Sequence, residues 1–150
     1  MKKFELTSET KINIFGKKLF RIKALISFAD VEAGETGGWV EKEGNVNQSG
    51  NAWVYGDAMV SGNAIVYGDA KVSGNAEVYG NADYTTIHGF GTQFRTTTFF
   101  RCKDKKVRVA CGCFFGTIPE FREQVKNTRK GKIAEEYLMI ADLMENHFEK

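Results

Sequence analysis

Residues 44–85 read GNVNQS, GNAWVY, GDAMVS, GNAIVY, GDAKVS, GNAEVY and GNADYT, which are seven consecutive six-residue units. Each unit opens with Gly followed by Asn or Asp, and from position 52 an Ala recurs in every unit. Within a unit, residues two apart share one face of an extended strand, and the residue between them faces the other way. The Gly-Asn and Gly-Asp pairs supply the backbone freedom for a bend. The pattern therefore predicts short strands separated by a turn every six residues.

This repeat resembles the left-handed parallel β-helix of hexapeptide-repeat proteins, in which an aliphatic residue such as Val54 and a small residue such as Ala58 face inward. Three units make one coil in that fold, so the resemblance implies about two to three coils. The expected fold class is mainly β: a short left-handed parallel β-helix with N-terminal strands, a C-terminal β-hairpin and two terminal helices. We divide the chain into residues 1–37, strands that cap the solenoid, residues 38–85, the repeat, and residues 86–150, the hairpin and helices, within one compact domain.

Three large apolar side chains, Trp53, Met59 and Ile65, occupy the outward positions of successive units. Apolar surface of this extent needs a cover. We expect the cover to come from the terminal segments or from neighbouring subunits. A homo-oligomer is predicted, either a trimer, as is common for hexapeptide scaffolds, or a dimer formed through the final helix.

The composition is typical of a globular protein in water, with 42% apolar and 27% charged residues. No apolar run approaches the roughly 18–20 residues that cross a bilayer, so no membrane partner is expected. Glu5 and Glu9 come too early for the N-terminus to be a secretory signal. Three cysteines, an odd number, favour a reducing compartment over a disulfide framework. We therefore predict a cytoplasmic protein.

The repeat carries no feature that points to catalysis. Familiar enzymes on the hexapeptide scaffold are acyltransferases, which use a histidine near the coils, and carbonic anhydrases, which hold zinc with three histidines. This chain has only His88 and His147, both outside the units. We predict a protein that is not an enzyme, with no catalytic residue, no metal and no cofactor, and keep an acyltransferase as an alternative. Cys102, Cys111 and Cys113 have poor spacing for a zinc site and are interpreted as buried structural thiols.

Residues 95–103 and 106–114 are predicted to form a β-hairpin around a two-residue turn, Asp104-Lys105. In the register that this turn implies, Lys103 faces Lys106 and Arg101 faces Arg108. One side of the hairpin is then apolar, with all three cysteines on it. The other side is a cationic face with two aromatic rings. From this face we predict the ligand-binding set Arg95, Thr97, Phe99, Arg101, Lys103, Arg108 and Phe114.

Charge is distributed unevenly along the chain. Residues 95–132 contain 11 Lys and Arg against 3 Asp and Glu, a net of +8, whereas the remainder has 10 against 16, a net of −6. Such asymmetry favours an anionic partner for the basic half, or contact between the basic half and the acidic half of another copy. Two groups could neutralise the cationic face: phosphates of a ligand, which match arginine forks, or the helix acids Glu120, Glu123, Glu135 and Glu136.

Two helices are predicted at the C-terminus. Thr117-Ile118-Pro119-Glu120 has the pattern of a capping box with an early proline. The first helix ends near Gly131, and apolar residues at steps of three and four predict a second over about 132–147. Core packing or a dimer contact is the expected role of its apolar stripe.

Nearly the whole chain resembles an uncharacterised family carried by bacteriophages and prophages. The shared segments are FELT at 4–7, LFRIKAL at 19–25, GGWVE at 37–41, TFFRCKD at 98–104 and CGCF at 111–114. The chain departs from that family at Lys105, where a glycine is expected in the hairpin turn.

The resemblance and the cationic face together suggest a function. They imply a non-enzymatic accessory protein, in the cytoplasm of the host bacterium, that binds and sequesters an anionic small molecule such as a nucleotide immune signal. An inhibitor that binds a host enzyme through the same face is the alternative. The net of −6 outside residues 95–132 argues against a track for nucleic acid.

Overall fold

The computed structural model describes residues 2–112 and 114–149, so Cys113 lies outside the described residues. Eleven strands and two α-helices follow one another along this part of the chain. The strands before the helices are β1 (Phe4–Ile12), β2 (Lys18–Ala24), β3 (Thr36–Val40), β4 (Trp53–Val54), β5 (Met59–Val60), β6 (Lys71–Val72), β7 (Glu77–Val78), β8 (Tyr84–Phe90), β9 (Arg95–Arg101), β10 (Val107–Cys111) and β11 (Phe114–Thr117). The helices are α1 (Ile118–Thr128) and α2 (Gly131–Phe148), and neither is long and apolar enough to cross a membrane.

The strands form three sheets. The largest is mixed, with five strands in the order β1-β2-β3-β5-β7, and β4 pairs with β6 in a two-stranded sheet. The third sheet is antiparallel, in the order β11-β10-β9-β8. Helices α1 and α2 pack on the third sheet and on each other, so a helix-covered antiparallel sheet adjoins the repeat.

The prediction of a mainly β fold built on a left-handed parallel β-helix is wrong. The strands of the repeat are only two residues long, and they extend the antiparallel β1–β2–β3 ladder or form a small pair. The flanking strands are four to nine residues long and mostly antiparallel. The physical reason is that a six-residue unit spends most of its backbone on the bend at each Gly, which leaves little for a ladder.

The units nevertheless pair at a fixed spacing. Trp53 pairs with Lys71 and Met59 with Glu77, both in parallel and both 18 residues apart, which is three units. The side-chain amide of Asn51 donates to Asp69 Oδ1 at 3.3 Å across the same spacing. The Ala and Val residues of the repeat from position 46 to position 78 are buried between these segments, whereas Ala82 is exposed.

The N-terminal strands cover two of the three outward apolar residues. The ring of Trp53 is 1% exposed and meets the rings of Phe4 and Phe28 edge-on, at centroid distances of 5.9 and 5.2 Å. Met59 is buried in a small cluster with Leu19 and Trp39. Cover from a terminal segment is therefore confirmed for Trp53 and Met59, whereas Ile65 remains 44% exposed.

The helices start and end close to the predicted positions. The Thr117 hydroxyl accepts from the Glu120 backbone N–H, and Glu120 Oε1 accepts from the Thr117 backbone N–H at 2.8 Å, which is the reciprocal pattern of a capping box. The predicted box is thus confirmed. Helix α2 buries Tyr137, Ile140 and Met144 along one face against α1 and the antiparallel sheet.

The predicted register of the β9–β10 hairpin is wrong by one residue. Arg101 pairs with Val107, and Phe100 with Arg108. The connection has three residues instead of two: the Lys105 N–H donates to Cys102 O, and the Cys102 N–H donates to Lys106 O, both at 2.9 Å. Lys105 takes a left-handed conformation with φ of 71°, as a type I turn followed by a bulge requires. A slip of one residue moves every side chain of one strand to the opposite face.

Lys105→Gly should raise the free energy of unfolding by about 0.5–1 kcal/mol, because glycine adopts the left-handed region without the penalty that a Cβ brings. Urea denaturation monitored by circular dichroism measures this change. Lys103→Gly is the matched control: it removes the same charge from the same loop at a position without positive φ, and it should destabilise. Equal effects of the two substitutions would contradict the three-residue loop.

A buried lysine ties the N-terminus to the repeat. Lys3 is 1% exposed, and its Nζ donates to Ala52 O at 2.7 Å and to Gly50 O at 3.3 Å. The ammonium also lies 4.8 Å from the centroid of the Phe28 ring. Burial lowers the pKa of Lys3 to about 8, because the charged form loses its hydration.

The contribution of Lys3 to the free energy of unfolding should therefore increase between pH 8 and pH 10.5. The unfolded chain holds the Lys3 proton up to its ordinary pKa of 10.5 and the folded chain releases it near 8, so unfolding takes up a proton in this window and becomes harder as pH rises. Between pH 7 and 9.5 the wild type should gain about 1–2 kcal/mol relative to Lys3→Met. Urea midpoints at both pH values test this. Parallel pH profiles for the two proteins would refute it.

Candidate anion-binding cleft

The one-residue slip divides the predicted cationic face between two sides of the sheet. Phe99 and Arg101 lie on one side of β9, and Arg108 lies on the other side with Phe100. Phe99 is fully buried, with its ring 6.1 Å from that of Phe121 in α1. Thr97 is 1% exposed, and its hydroxyl donates to the Cys111 sulfur at 3.1 Å. These two predicted site residues thus pack inside the protein.

Two of the predicted arginines already have carboxylate partners. Arg101 Nε lies 3.1 Å from Asp83 Oδ1, and its guanidinium lies 5.1 Å from the Phe148 ring centroid. Arg108 binds both oxygens of Asp104 at 2.9 Å, and this pairing lowers the pKa of Asp104 to about 2. The acids that neutralise these arginines come from the repeat and the hairpin loop and not from the helices. Lys103 is exposed in the loop.

The remaining two predicted residues, Arg95 and Phe114, lie together in a cleft between the antiparallel sheet and α1. The cleft encloses about 420 Å³ and also contains Arg129, which follows α1, and Tyr137 of α2. We call it the arginine cleft. Its other lining residues are Cys111, Gly112, Phe115, Phe121, Gln124, Val125 and Thr128.

Within the described part of the chain, neither arginine of this cleft has an acidic partner. Of the six arginines in the chain, four lie within 4 Å of a carboxylate: Arg21, Arg101, Arg108 and Arg122. Among the residues that the structure describes, no carboxylate lies that close to Arg95 or Arg129. Arg95 is held from two sides, because its Nη2 lies 2.5 Å from Gln93 Oε1 and its guanidinium covers Gly112, where an added Cβ would lie 2.7 Å from Nη1. Two uncompensated guanidinium groups thus line one cavity.

Aromatic rings form the inner wall of the cleft. Phe121 is 3% exposed, and its ring centroid lies 5.6 Å from that of Phe114 and 5.8 Å from that of Tyr137. Burial raises the pKa of the Tyr137 phenol, while the positive charges of Arg129 and Arg95 oppose the rise. The hydroxyl is therefore protonated at neutral pH and can donate a hydrogen bond. Cations, a phenolic donor and ring faces suit a ligand with a negative charge and a flat apolar part.

A smaller recess of about 140 Å³ adjoins the arginine cleft and shares Arg95, Arg129 and Tyr137 with it. Its remaining wall is the loop from Phe90 to Gln93. Gly91 has φ of 77°, and an added Cβ would lie 2.6 Å from the Tyr137 hydroxyl. Because Gly91 has no side chain, the loop from Phe90 to Gln93 can approach Tyr137 closely, and the recess is narrow.

Sequence reasoning found Arg95 and Phe114 but missed Arg129 and Tyr137. One signal was available: no Asp or Glu lies within four residues of Arg95 or Arg129. That signal is incomplete, because Arg21 also lacks a nearby acid in sequence and pairs with Glu9 and Asp57 through the fold. The convergence of residues 95 and 129 depends on how α1 packs on the sheet.

The described cysteines occupy different environments. Cys102 is buried against the repeat, and burial raises the pKa of its thiol. Cys111 is half-buried in the wall of the arginine cleft. Within residues 2–112 and 114–149, no cluster of three or more His, Cys, Asp and Glu side chains is arranged to hold a metal ion.

No model of a protein family matches the chain, and no curated protein matches it significantly. The geometry of the arginine cleft therefore supplies the basis for a functional assignment.

Proposed function

We propose that the protein is a non-enzymatic binding protein that captures and sequesters an anionic small molecule in the arginine cleft. The observation that carries the proposal is the pair Arg95 and Arg129, two guanidinium groups on one cavity with no carboxylate partner among the described residues. Arg95 is exposed and Arg129 is half-buried, and an anion bound in the cavity would be attracted to both positive charges.

The remainder of the cleft supports a ligand with both a phosphate and a ring. Its volume of about 420 Å³ lies in the range of about 300–1,000 Å³ that small-molecule sites occupy. Arginine forks bind phosphate oxygens in pairs, and the ring of Phe114 offers a stacking surface at the cleft wall. A nucleotide combines the two groups. With the resemblance to phage proteins, this extends the proposal to capture of a nucleotide signal of host defence.

Isothermal titration calorimetry of the full chain with AMP, ADP-ribose and a cyclic dinucleotide tests the proposal. At least one of these should bind, and Arg95→Ala or Arg129→Ala should each weaken binding at least tenfold, since one charge-assisted hydrogen bond contributes about 1.5–3 kcal/mol. Lys126→Ala is the matched control, because it removes a positive charge from the exposed side of α1 outside the cleft. This variant should bind the ligand with the affinity of the wild type. Absence of binding by all three, or full binding by the double arginine variant, would overturn the proposal.

A further inference from the structure

Another cavity, of about 580 Å³, lies where the N-terminal hairpin, the end of the repeat and the end of α2 meet. Three aromatic rings line it, one from each of these parts: Phe15, Tyr79 and Phe148. The Phe15 ring packs edge-on against Tyr79 at a centroid distance of 4.7 Å, although Phe15 is 63% exposed at the tip of the hairpin. We call this cavity the Phe15 pocket. It shares no residue with the arginine cleft.

The hairpin tip that carries Phe15 is held in place by Asn13. The Asn13 side-chain oxygen accepts from the backbone N–H groups of Phe15 and Lys17, at 2.9 and 3.0 Å. The Asn13 backbone N–H donates to Lys17 O at 2.9 Å and closes the turn. The exposed Phe15 ring thus belongs to a well-defined wall of the pocket.

Four charged side chains line the Phe15 pocket, and two of them compensate each other. Arg101 pairs with Asp83 at 3.1 Å, and the Arg101 guanidinium lies against the Phe148 ring. The other two are Glu77 and Lys105. Once the Arg101–Asp83 pair is set aside, one negative and one positive group remain.

Neither remaining group has an oppositely charged partner within 4 Å in the described part of the chain, although Lys105 is exposed to solvent. Glu77 Oε1 accepts from the Tyr79 hydroxyl at 2.8 Å, but Oε2 is buried and has no hydrogen-bond donor. Among residues 2–112 and 114–149, no carboxylate lies within 4 Å of the Lys105 ammonium. Glu77 lines the pocket, and among the described residues its carboxylate has no Lys, Arg or His nitrogen within 4 Å, so a ligand ammonium would supply the missing opposite charge. An anionic group would complement Lys105 in the same way.

We propose that the Phe15 pocket binds a free α-amino acid with an apolar side chain. The ligand ammonium donates to Glu77 and lies beside the ring faces of Phe15 and Tyr79, which attract cations. Its carboxylate pairs with Lys105, and its side chain packs on the rings. A purely anionic ligand suits this pocket poorly because Glu77 and Asp83 would repel it. The pocket is therefore a site for a second ligand class, separate from the arginine cleft.

Calorimetry and saturation-transfer NMR of the full chain with L-phenylalanine and L-leucine test this inference. Either amino acid should bind saturably, whereas N-acetyl-L-phenylalanine, which lacks the ammonium, and L-phenylalanine methyl ester, which lacks the carboxylate, should bind at least tenfold more weakly. Glu77→Gln keeps the shape of the side chain and should reduce binding by a similar factor. Lys105→Gly should do the same in a protein that is at least as stable as the wild type, so a loss of binding there would not reflect unfolding.

Arg95→Ala separates this inference from the anion-binding function. This variant should bind the amino acid as the wild type does and should lose affinity only for AMP. The inference is overturned if neither amino acid binds at millimolar concentration, if the acetylated and esterified derivatives bind as well as the parent, or if Lys105→Gly retains full affinity. None of these results bears on nucleotide binding in the arginine cleft.

Discussion

Gly62→Ala should lower the free energy of unfolding by about 3–4 kcal/mol, a loss at the upper end of the range for single substitutions. Gly62 has φ of 65°, and an added Cβ would collide with the carbonyl oxygen of Tyr79 in the next segment of the repeat. That oxygen belongs to the backbone, so it cannot move aside as a flexible side chain would. The substitution therefore tests how closely the backbone at Gly62 packs on the backbone at Tyr79. Urea denaturation of the purified variant measures the loss.

Gly56→Ala is the matched control for Gly62→Ala. Gly56 opens an equivalent unit, has φ of 59°, and an added Cβ there meets nothing within 4 Å. Gly56→Ala should lower the free energy of unfolding by only about 1–2 kcal/mol, which is the cost of placing a residue with a Cβ in the left-handed conformation. The difference between the two variants isolates the backbone collision. If both substitutions lowered the free energy of unfolding equally, the close contact between Gly62 and the Tyr79 backbone would be contradicted.

Phe121→Ala should also be severe: we expect it to lower the free energy of unfolding by about 3–5 kcal/mol. The Phe121 side chain is 3% exposed and joins three other rings, those of Phe99, Phe114 and Tyr137, at centroid distances of 6.1, 5.6 and 5.8 Å. Truncation removes these contacts and leaves a cavity between α1, α2 and the antiparallel sheet. Thermal unfolding and urea midpoints should both report the loss.

Phe94→Ala controls for the removal of a phenylalanine ring as such. Phe94 is 70% exposed in the β8–β9 loop, so its truncation should change stability by no more than about 0.5 kcal/mol. A Phe121→Ala variant as stable as Phe94→Ala would show that the helices do not pack on the sheet through Phe121, and the inner wall of the arginine cleft would then be incorrect.

Parts of the fold were predictable because they depend on local pattern. The six-residue period predicts the spacing at which Met59 pairs with Glu77. The capping box of Thr117 and Glu120 predicts where α1 begins. The fold class was not predicted correctly from that period. A repeat specifies its own bends, but it does not specify that β3 would join the repeat to an antiparallel ladder formed by β1 and β2. That pairing depends on contacts far apart in sequence.

The candidate site was predicted only in part, and the reason is a single loop residue. Asp104-Lys105 has the length of a two-residue turn, yet Lys105 takes a left-handed φ that usually indicates glycine. The resulting slip separates Arg101 from Arg108 and leaves Arg95 and Phe114 as the predicted residues that line the arginine cleft. Arg129 joins them through the packing of α1, which no local pattern in the sequence specifies.

The most direct measurement for the proposed function is a titration of the full chain with AMP, followed through the Nε–Hε signals of its six arginines in ¹H–¹⁵N NMR spectra. The signals of Arg95 and Arg129 should shift together and saturate with one common dissociation constant. Those of Arg108 and Arg122, whose guanidinium groups bind carboxylates, should stay in place and serve as internal controls. Unchanged Arg95 and Arg129 signals at saturating AMP, or weak proportional shifts of all six, would contradict anion capture in the arginine cleft.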